Sequence, residues 1–347
     1  MSCERGTKVF AMMQGSKAGL YAGRLRQEIA ECNRQYAAGR CHVESVGGES
    51  VIVYAPQMDP DGRMIHGNFF NAAYEAIAAQ PDWVKRLNKV HTGGRGLPKL
   101  LDEPGRKWKE LDSCMSSDAL LMNVFCAPGV AESGNVRRML GMETQGEPVF
   151  GWKARVPLKN GLTDRTEVDM RWDGLLVEAK LTELDFQVRA SAVVEAYRDF
   201  ETVFDRELLP HVEIREARRR AATEMPEEFT QEWEPGTEDS EIAREYQAEI
   251  AARAWRTTSA KAGYAGYQLI RNVLAAHATG CSFCVIHDER RPDLREAWFT
   301  VLRAVRDAEM KTRLKVLTWQ ELAAVLPREL REFLEVKYGI VAAERRS

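Results

Sequence analysis

The chain has 347 residues, 49 of them basic and 52 acidic, for a net charge of −3 at pH 7. That length can bury a large core in one or two domains, and the near balance of charge excludes an overall field that recruits nucleic acid, leaving any such binding to local clusters. Seven scattered cysteines suit a reducing cytoplasm rather than a secreted disulfide scaffold, no run of about 20 apolar residues is available to cross a bilayer, and Met1–Gln14 is too polar for a signal peptide.

In chain order, residues 1–100 read as an N-terminal α/β extension. Leu20 to Tyr36 has helical character, Ser50 to Tyr54 is a short strand ended by Pro56, and Phe70, Tyr74 and Ile77 recur at helical spacing before Pro81. From Trp83 to Lys109 the chain turns basic. Lys85, Arg86, Lys89 and Arg95 lead this cluster, and His91 to Gly96 is glycine-rich enough to track a phosphate backbone. An ordinary solvated linker has the same composition. No segment carries the Gly-Lys-Ser/Thr ending of a P-loop.

From residue 101 the predicted order is a helix (115–126), strands (149–157, 166–172 and 175–181), a charged helical insertion (187–262) and then alternating helix and strand. Val193, Tyr197, Phe200 and Phe204 make the helical stripe of that insertion. Arg215 to Arg220 is basic, and 224–241 is acidic and solvated. Tyr267 to His277 is a helix closed by Gly280. Ser282 to Ile286 and Lys315 to Leu317 are strands, and Thr318 to Glu321 is a capping box. Cys281 and Cys284, with His277 and His287, have the residue types of a zinc site. Their spacing on a strand, however, sends residues three apart to opposite faces.

The hairpin at Asp173-Gly174 is the most informative segment. Polar and apolar residues alternate on both sides, and Asp-Gly suits a type I′ turn with positive φ at both central positions. Counting outward pairs Trp172 with Leu175, Arg171 with Leu176, Met170 with Val177, Asp169 with Glu178, and Glu167 with Lys180. Two carboxylates so placed repel unless a cation lies between them, and hard oxygen ligands with water and phosphate suit Mg²⁺. The bland alternative is a solvated sheet face carrying a weak Glu167–Lys180 surface pair.

Asp169 followed across a hairpin by Glu178-Ala179-Lys180 resembles the PD-(D/E)XK nuclease superfamily, the restriction-endonuclease-like fold. Ser116 to Phe125, Gly266 to Asn272 and Leu317 to Leu322 are similar to the flanking elements of bacterial restriction endonucleases in that superfamily. The resemblance covers about residues 105–340, and the Pro of the name motif is absent here. It implies an α/β fold, a mixed central sheet flanked by helices in residues 101–347, with the helical insertion. It also implies a Mg²⁺-dependent DNA endonuclease of restriction or phage defence, with Mn²⁺ able to substitute. Asp169, Glu178 and the Ala179 carbonyl would hold the metal, and Lys180 would orient and help deprotonate the attacking water. Glu110 and Asp118 are candidates for a further ligand. Gln268, Arg271 and Asn272 share one helix face, and Gln268 is expected to face the site. Lys85, Arg86, Lys89, Arg95 and Arg271 are expected to meet DNA. A homodimer or larger defence complex would suit the symmetry of duplex DNA. Two other readings stay open: a non-catalytic nucleic-acid-binding or assembly subunit on the same fold, and an RNA-directed or repair nuclease.

Overall fold

The computed structural model describes residues 3–44, 51–90, 109–143, 146–217 and 258–343. Its central sheet is mixed and five-stranded: β1 (Val149–Lys153), β2 (Glu167–Trp172), β3 (Leu175–Ala179), β4 (Ser282–His287) and β5 (Leu314–Thr318). The spatial order is β5-β4-β3-β2-β1. The first three strands form an antiparallel meander, and β4 runs parallel to both β3 and β5.

Parallel strands in the middle of a sheet are covered on both faces, so they read as unbroken apolar runs. Leu175, Val177, Cys284 and Ile286 enter one core, whereas Leu176, Phe283 and Val285 enter the other. Helices α1 (Cys3–Tyr36), α2 (Asn71–Ala79), α3 (Pro81–Leu87), α4 (Ser117–Phe125), α5 (Tyr267–Thr279), α6 (Pro292–Ala304) and α7 (Arg328–Tyr338) surround the sheet. The first core takes Leu25 and Ile29 of α1, Ile77 of α2, residues 119–122 of α4 and Leu334 of α7. Helices α5 and α6 close the second through Leu269, Val273, Leu294 and Trp298. Cys281 and Cys284 fall into different cores, as their strand spacing predicts. Among the described residues, no helix is long and apolar enough to cross a membrane.

The hairpin has the predicted register over the three pairs nearest its turn, Met170 with Val177, Arg171 with Leu176 and Trp172 with Leu175, and the ladder stops before the predicted Asp169–Glu178 and Glu167–Lys180 pairs. Its turn differs from type I′. Asp173 is left-handed at φ +49, but Gly174 is not. The Gly174 carbonyl accepts a hydrogen bond from Ser282 N at 2.7 Å, so the neighbouring parallel strand helps orient the turn.

Past Met170 the strand rolls over. Gly151, which faces Asp169 across the ladder, is left-handed at φ +64. Val168 consequently joins the second core, although Met170 and Trp172 lie in the first.

The first predicted strand is broken. Arg155, at φ +51, separates β1 from Val156–Pro157, which pairs instead with Thr163–Asp164. The helical insertion is also corrected over its described residues, 187–217 and 258–262. Val188–Ala190, Thr258–Ala265 and His211–Ala217 form a three-stranded antiparallel sheet, with Thr258–Ala265 in the middle. Among the described residues, two four-residue helices, Ser191–Val194 and Phe200–Val203, and a short 3₁₀ helix, Arg206–Leu208, stand between its strands. Tertiary contacts override the helical spacing: Tyr197 bridges to Leu158 and Phe204 to Val305, while Val193 is left exposed. The acidic stretch at 224–241 and residues 218–220 lie outside the described residues.

Candidate functional site

The roll of β2 creates the site. Where a ladder carbonyl would normally stand, Asp169 Oδ2 accepts the Ala179 N–H at 2.8 Å. Its carboxylate is thereby fixed at the edge of a pocket of about 500 Å³. Glu178 and Lys180 extend from the other arm of the hairpin, two residues apart and so on one face.

Glu178 is buried and accepts three hydrogen bonds. Lys180 Nζ and Gln268 Nε2 reach Oε1 at 2.7 and 2.9 Å, and Asn272 Nδ2 reaches Oε2 at 2.7 Å. Gln268 and Asn272 lie one turn apart on α5, which explains why both meet a single carboxylate. Arg271 orients the second of them: its Nη2 donates to Asn272 Oδ1 and to the Glu167 carbonyl, each at 2.8 Å.

Lys180 is held from behind. Its N–H donates to the Ile286 carbonyl at 2.8 Å, and its own carbonyl accepts Trp319 Nε1 at 3.0 Å. Trp319 opens the helix whose capping box forms as predicted, with Thr318 and Glu321 exchanging hydrogen bonds. Beyond Lys180, fully buried Arg291 fixes the following loop by donating to the Glu183 and Leu184 carbonyls at 2.7 and 2.9 Å.

A second acidic wall comes from elsewhere. Ser116 caps α4 by accepting the Ala119 N–H, which places Asp118 in its first turn. Arg86 of α3 donates to Asp118 Oδ2 and to Glu167 Oε2 at 3.0 Å. Lys89 pairs with Glu110 and Glu167 at 3.0 and 3.3 Å.

Residues 26–339 match the family described as "Restriction Endonuclease associating with ARP". The chain belongs to that family. No curated protein and no solved structure matches the chain. Membership implies a nuclease, and hence hydrolase, role. The matched span reaches well ahead of residue 105, so it includes Arg86 and Lys89 along with the hairpin.

The electrostatics of the site are uneven. Burial, followed by the neighbouring Glu178 and Asp118 charges, pushes the Asp169 carboxyl well above the usual range. Burial and Glu110 also raise Asp118, although Arg86 opposes them. Burial alone would lower Lys180, yet Glu178, Glu183 and Asp169 together raise it, which keeps the ammonium charged. Burial likewise disfavours the charge on Glu167, but Lys89 and Arg86 outweigh it and hold the carboxyl low.

Asp169, Glu178, Lys180 and Gln268 are therefore brought together, and Arg86 and Lys89 line the same pocket. Two sequence expectations are corrected. Lys180 pairs with buried Glu178 rather than forming a surface pair with Glu167. Arg271 is buried and turned inward to Asn272 and Glu167, because its guanidinium completes the α5 network. Beside them, Ala179 is fully buried and donates its N–H to Asp169. Lys85 is exposed and pairs with Asp82 at 2.5 Å, and Arg95 lies outside the described residues. The roles of Glu167 and Arg291 were not legible in the sequence, since each depends on partners about 80 to 110 positions away.

A divalent cation fits this donor set. Asp169 and Asp118 open on the pocket, and burial first, with neighbouring carboxylates adding to it, raises both carboxyls, a cost that a bound cation would offset. Among the described residues, no three His, Cys, Asp or Glu side chains form a complete metal cluster. Mg²⁺ needs only one or two carboxylates, with water and phosphate filling its shell.

Proposed function

We propose that this chain is a Mg²⁺-dependent endonuclease of the PD-(D/E)XK kind that hydrolyses DNA phosphodiesters in restriction or phage defence. The observation that carries the reading is the pair of carboxylates, Asp169 and Asp118, that line one pocket beside the buried ammonium of Lys180.

Hydrolysis forms a bond from phosphorus to a water oxygen and breaks the bond to the departing sugar oxygen, with the water's proton lost to solvent and the departing oxygen protonated from solvent. Asp169 and Asp118 would hold Mg²⁺, with Glu178 behind them, and the ion supplies Lewis acidity and a lowered pKa for bound water. Lys180 remains protonated in its acidic surroundings, so it acts as a fixed positive charge toward the developing phosphorane rather than as a proton acceptor. Gln268 and Asn272 keep Glu178 from rotating, which in turn fixes the Lys180 ammonium. The family description names association with ARP, and a protein partner of that kind belongs to this reading.

The test is digestion of linear, circular and single-stranded DNA, and of RNA, with Mg²⁺ or Mn²⁺ and with chelator. DNA cleavage that requires metal and disappears in Asp169→Asn supports the reading. Metal-independent cleavage, or no cleavage of DNA in the presence of its partner, contradicts it.

A further inference from the structure

A second pocket, of about 670 Å³, adjoins the first and shares Arg86, Lys89 and Glu167 with it. The two differ in charge. Six carboxylates and three cations line the first, but three carboxylates and four cations line the second. Trp83 and Phe150 provide its aromatic wall, with ring centroids 6.0 Å apart and edge-to-face. Trp83 is fixed by its Nε1–H, which donates to the Pro148 carbonyl at 2.9 Å.

Lys153 stands exposed on the rim without an ion-pair partner among the described residues. Gly151 lies where the pockets meet. A Cβ there would approach Arg86 Nη1 to 3.3 Å and Glu167 Oε2 to 3.5 Å, so the glycine keeps the junction between the pockets clear.

We propose that this second pocket receives the nucleotide that flanks the scissile phosphate of a DNA strand. The base lies against Trp83 and Phe150, and the phosphate faces Lys153 and Lys89. The volume lies within the range of about 300–1,000 Å³ usual for ligand pockets, and aromatic walls accept any base because every base has a π-face. The strand crosses between the pockets over Gly151, so one pocket holds the reacting phosphate and the other its neighbour. This inference rests on the nuclease reading above.

The test is anisotropy of a fluorescein-labelled DNA oligonucleotide on the full chain, with Ca²⁺ replacing Mg²⁺, across a salt series. Lys153→Ala should weaken binding severalfold and reduce the slope of log K against log salt by about 1. Trp83→Leu should weaken binding roughly tenfold, while Mn²⁺ binding, read by calorimetry, stays at the wild-type level in both variants. Unchanged DNA affinity and salt slope in Lys153→Ala, with Mn²⁺ binding intact, would overturn the subsite and leave the metal site standing. Loss of DNA affinity in a protein that never binds Mn²⁺ would support the subsite and remove the metal site instead. Lys153 is exposed, so its variant decides the matter even if Trp83→Leu fails to fold.

Discussion

Lys180 and Lys337 are 4% and 0% exposed, yet their surroundings act on them in opposite directions. Lys180 lies 2.7 Å from Glu178, with Glu183 and Asp169 nearby, and its ammonium is favoured despite burial. Lys337 Nζ donates to Asn33 Oδ1 at 2.7 Å and faces the rings of Tyr54, Tyr36 and Tyr338 at 4.2, 4.9 and 5.3 Å. Burial takes it down to about 7, with a smaller opposing pull from Cys114. A desolvated cation–π contact is worth about 2 kcal/mol, whereas withdrawing an ammonium from water costs several kcal/mol. Three rings and an amide therefore do not retain the charge that carboxylates retain. In the candidate site, the acids are what make a buried cation stable.

The largest expected effect follows from removing that cation. Lys180→Met leaves Glu178 buried without its charged partner, and should cost about 3–5 kcal/mol in urea denaturation and about 10²–10³-fold in DNA cleavage. Lys337→Met removes a charge the fold disfavours and keeps the Tyr54–Asn33 hydrogen bond. Its cleavage should match the wild type, and its stability at pH 7 should not fall. Equal losses in the two variants would break the contrast.

The pH dependence sharpens it. The folded pKa of Lys337 is depressed to about 7 from 10.5, so within that window the unfolded chain binds the proton that the folded chain has released. Stability should then rise with pH between those values, with a slope approaching about 1.4 kcal/mol per pH unit, and Lys337→Met should abolish that rise. Asp169 has the opposite sign. Its folded carboxyl is raised, so as pH climbs from the usual carboxylate range through that raised value, the metal-free protein should lose stability. Asp169→Asn should therefore be more stable than wild type near pH 8 without metal, as read by denaturation, though inactive. The smallest effect is expected of Gln268→Ala. Glu178 keeps Lys180 and Asn272, so the loss should be near 1 kcal/mol, with cleavage reduced about tenfold or less.

Features set by adjacent residues were legible in the sequence. Asp173-Gly174 between alternating runs gave the hairpin register, Thr318 with Glu321 gave a helix start, and Gly280 ended α5 with φ +66. The spacing of Gln268 and Asn272 gave the shared face that grips Glu178. Features set by distant partners were not legible. The roll at Asp169 needs Gly151 across the sheet, and Arg86 reaches Glu167 from 81 positions away. The stripe at Tyr197 and Phe204 reads as helix because spacing alone carries no trace of the Leu158 and Val305 bridges.

The most direct measurement is Mn²⁺ titration by calorimetry of the wild-type chain and Asp169→Asn, with circular dichroism confirming that both are folded. Saturable Mn²⁺ binding to the wild type that vanishes in the variant is expected if Asp169 helps hold the ion. Equal binding in the two proteins, or none in the wild type, would contradict a cation held between these acids.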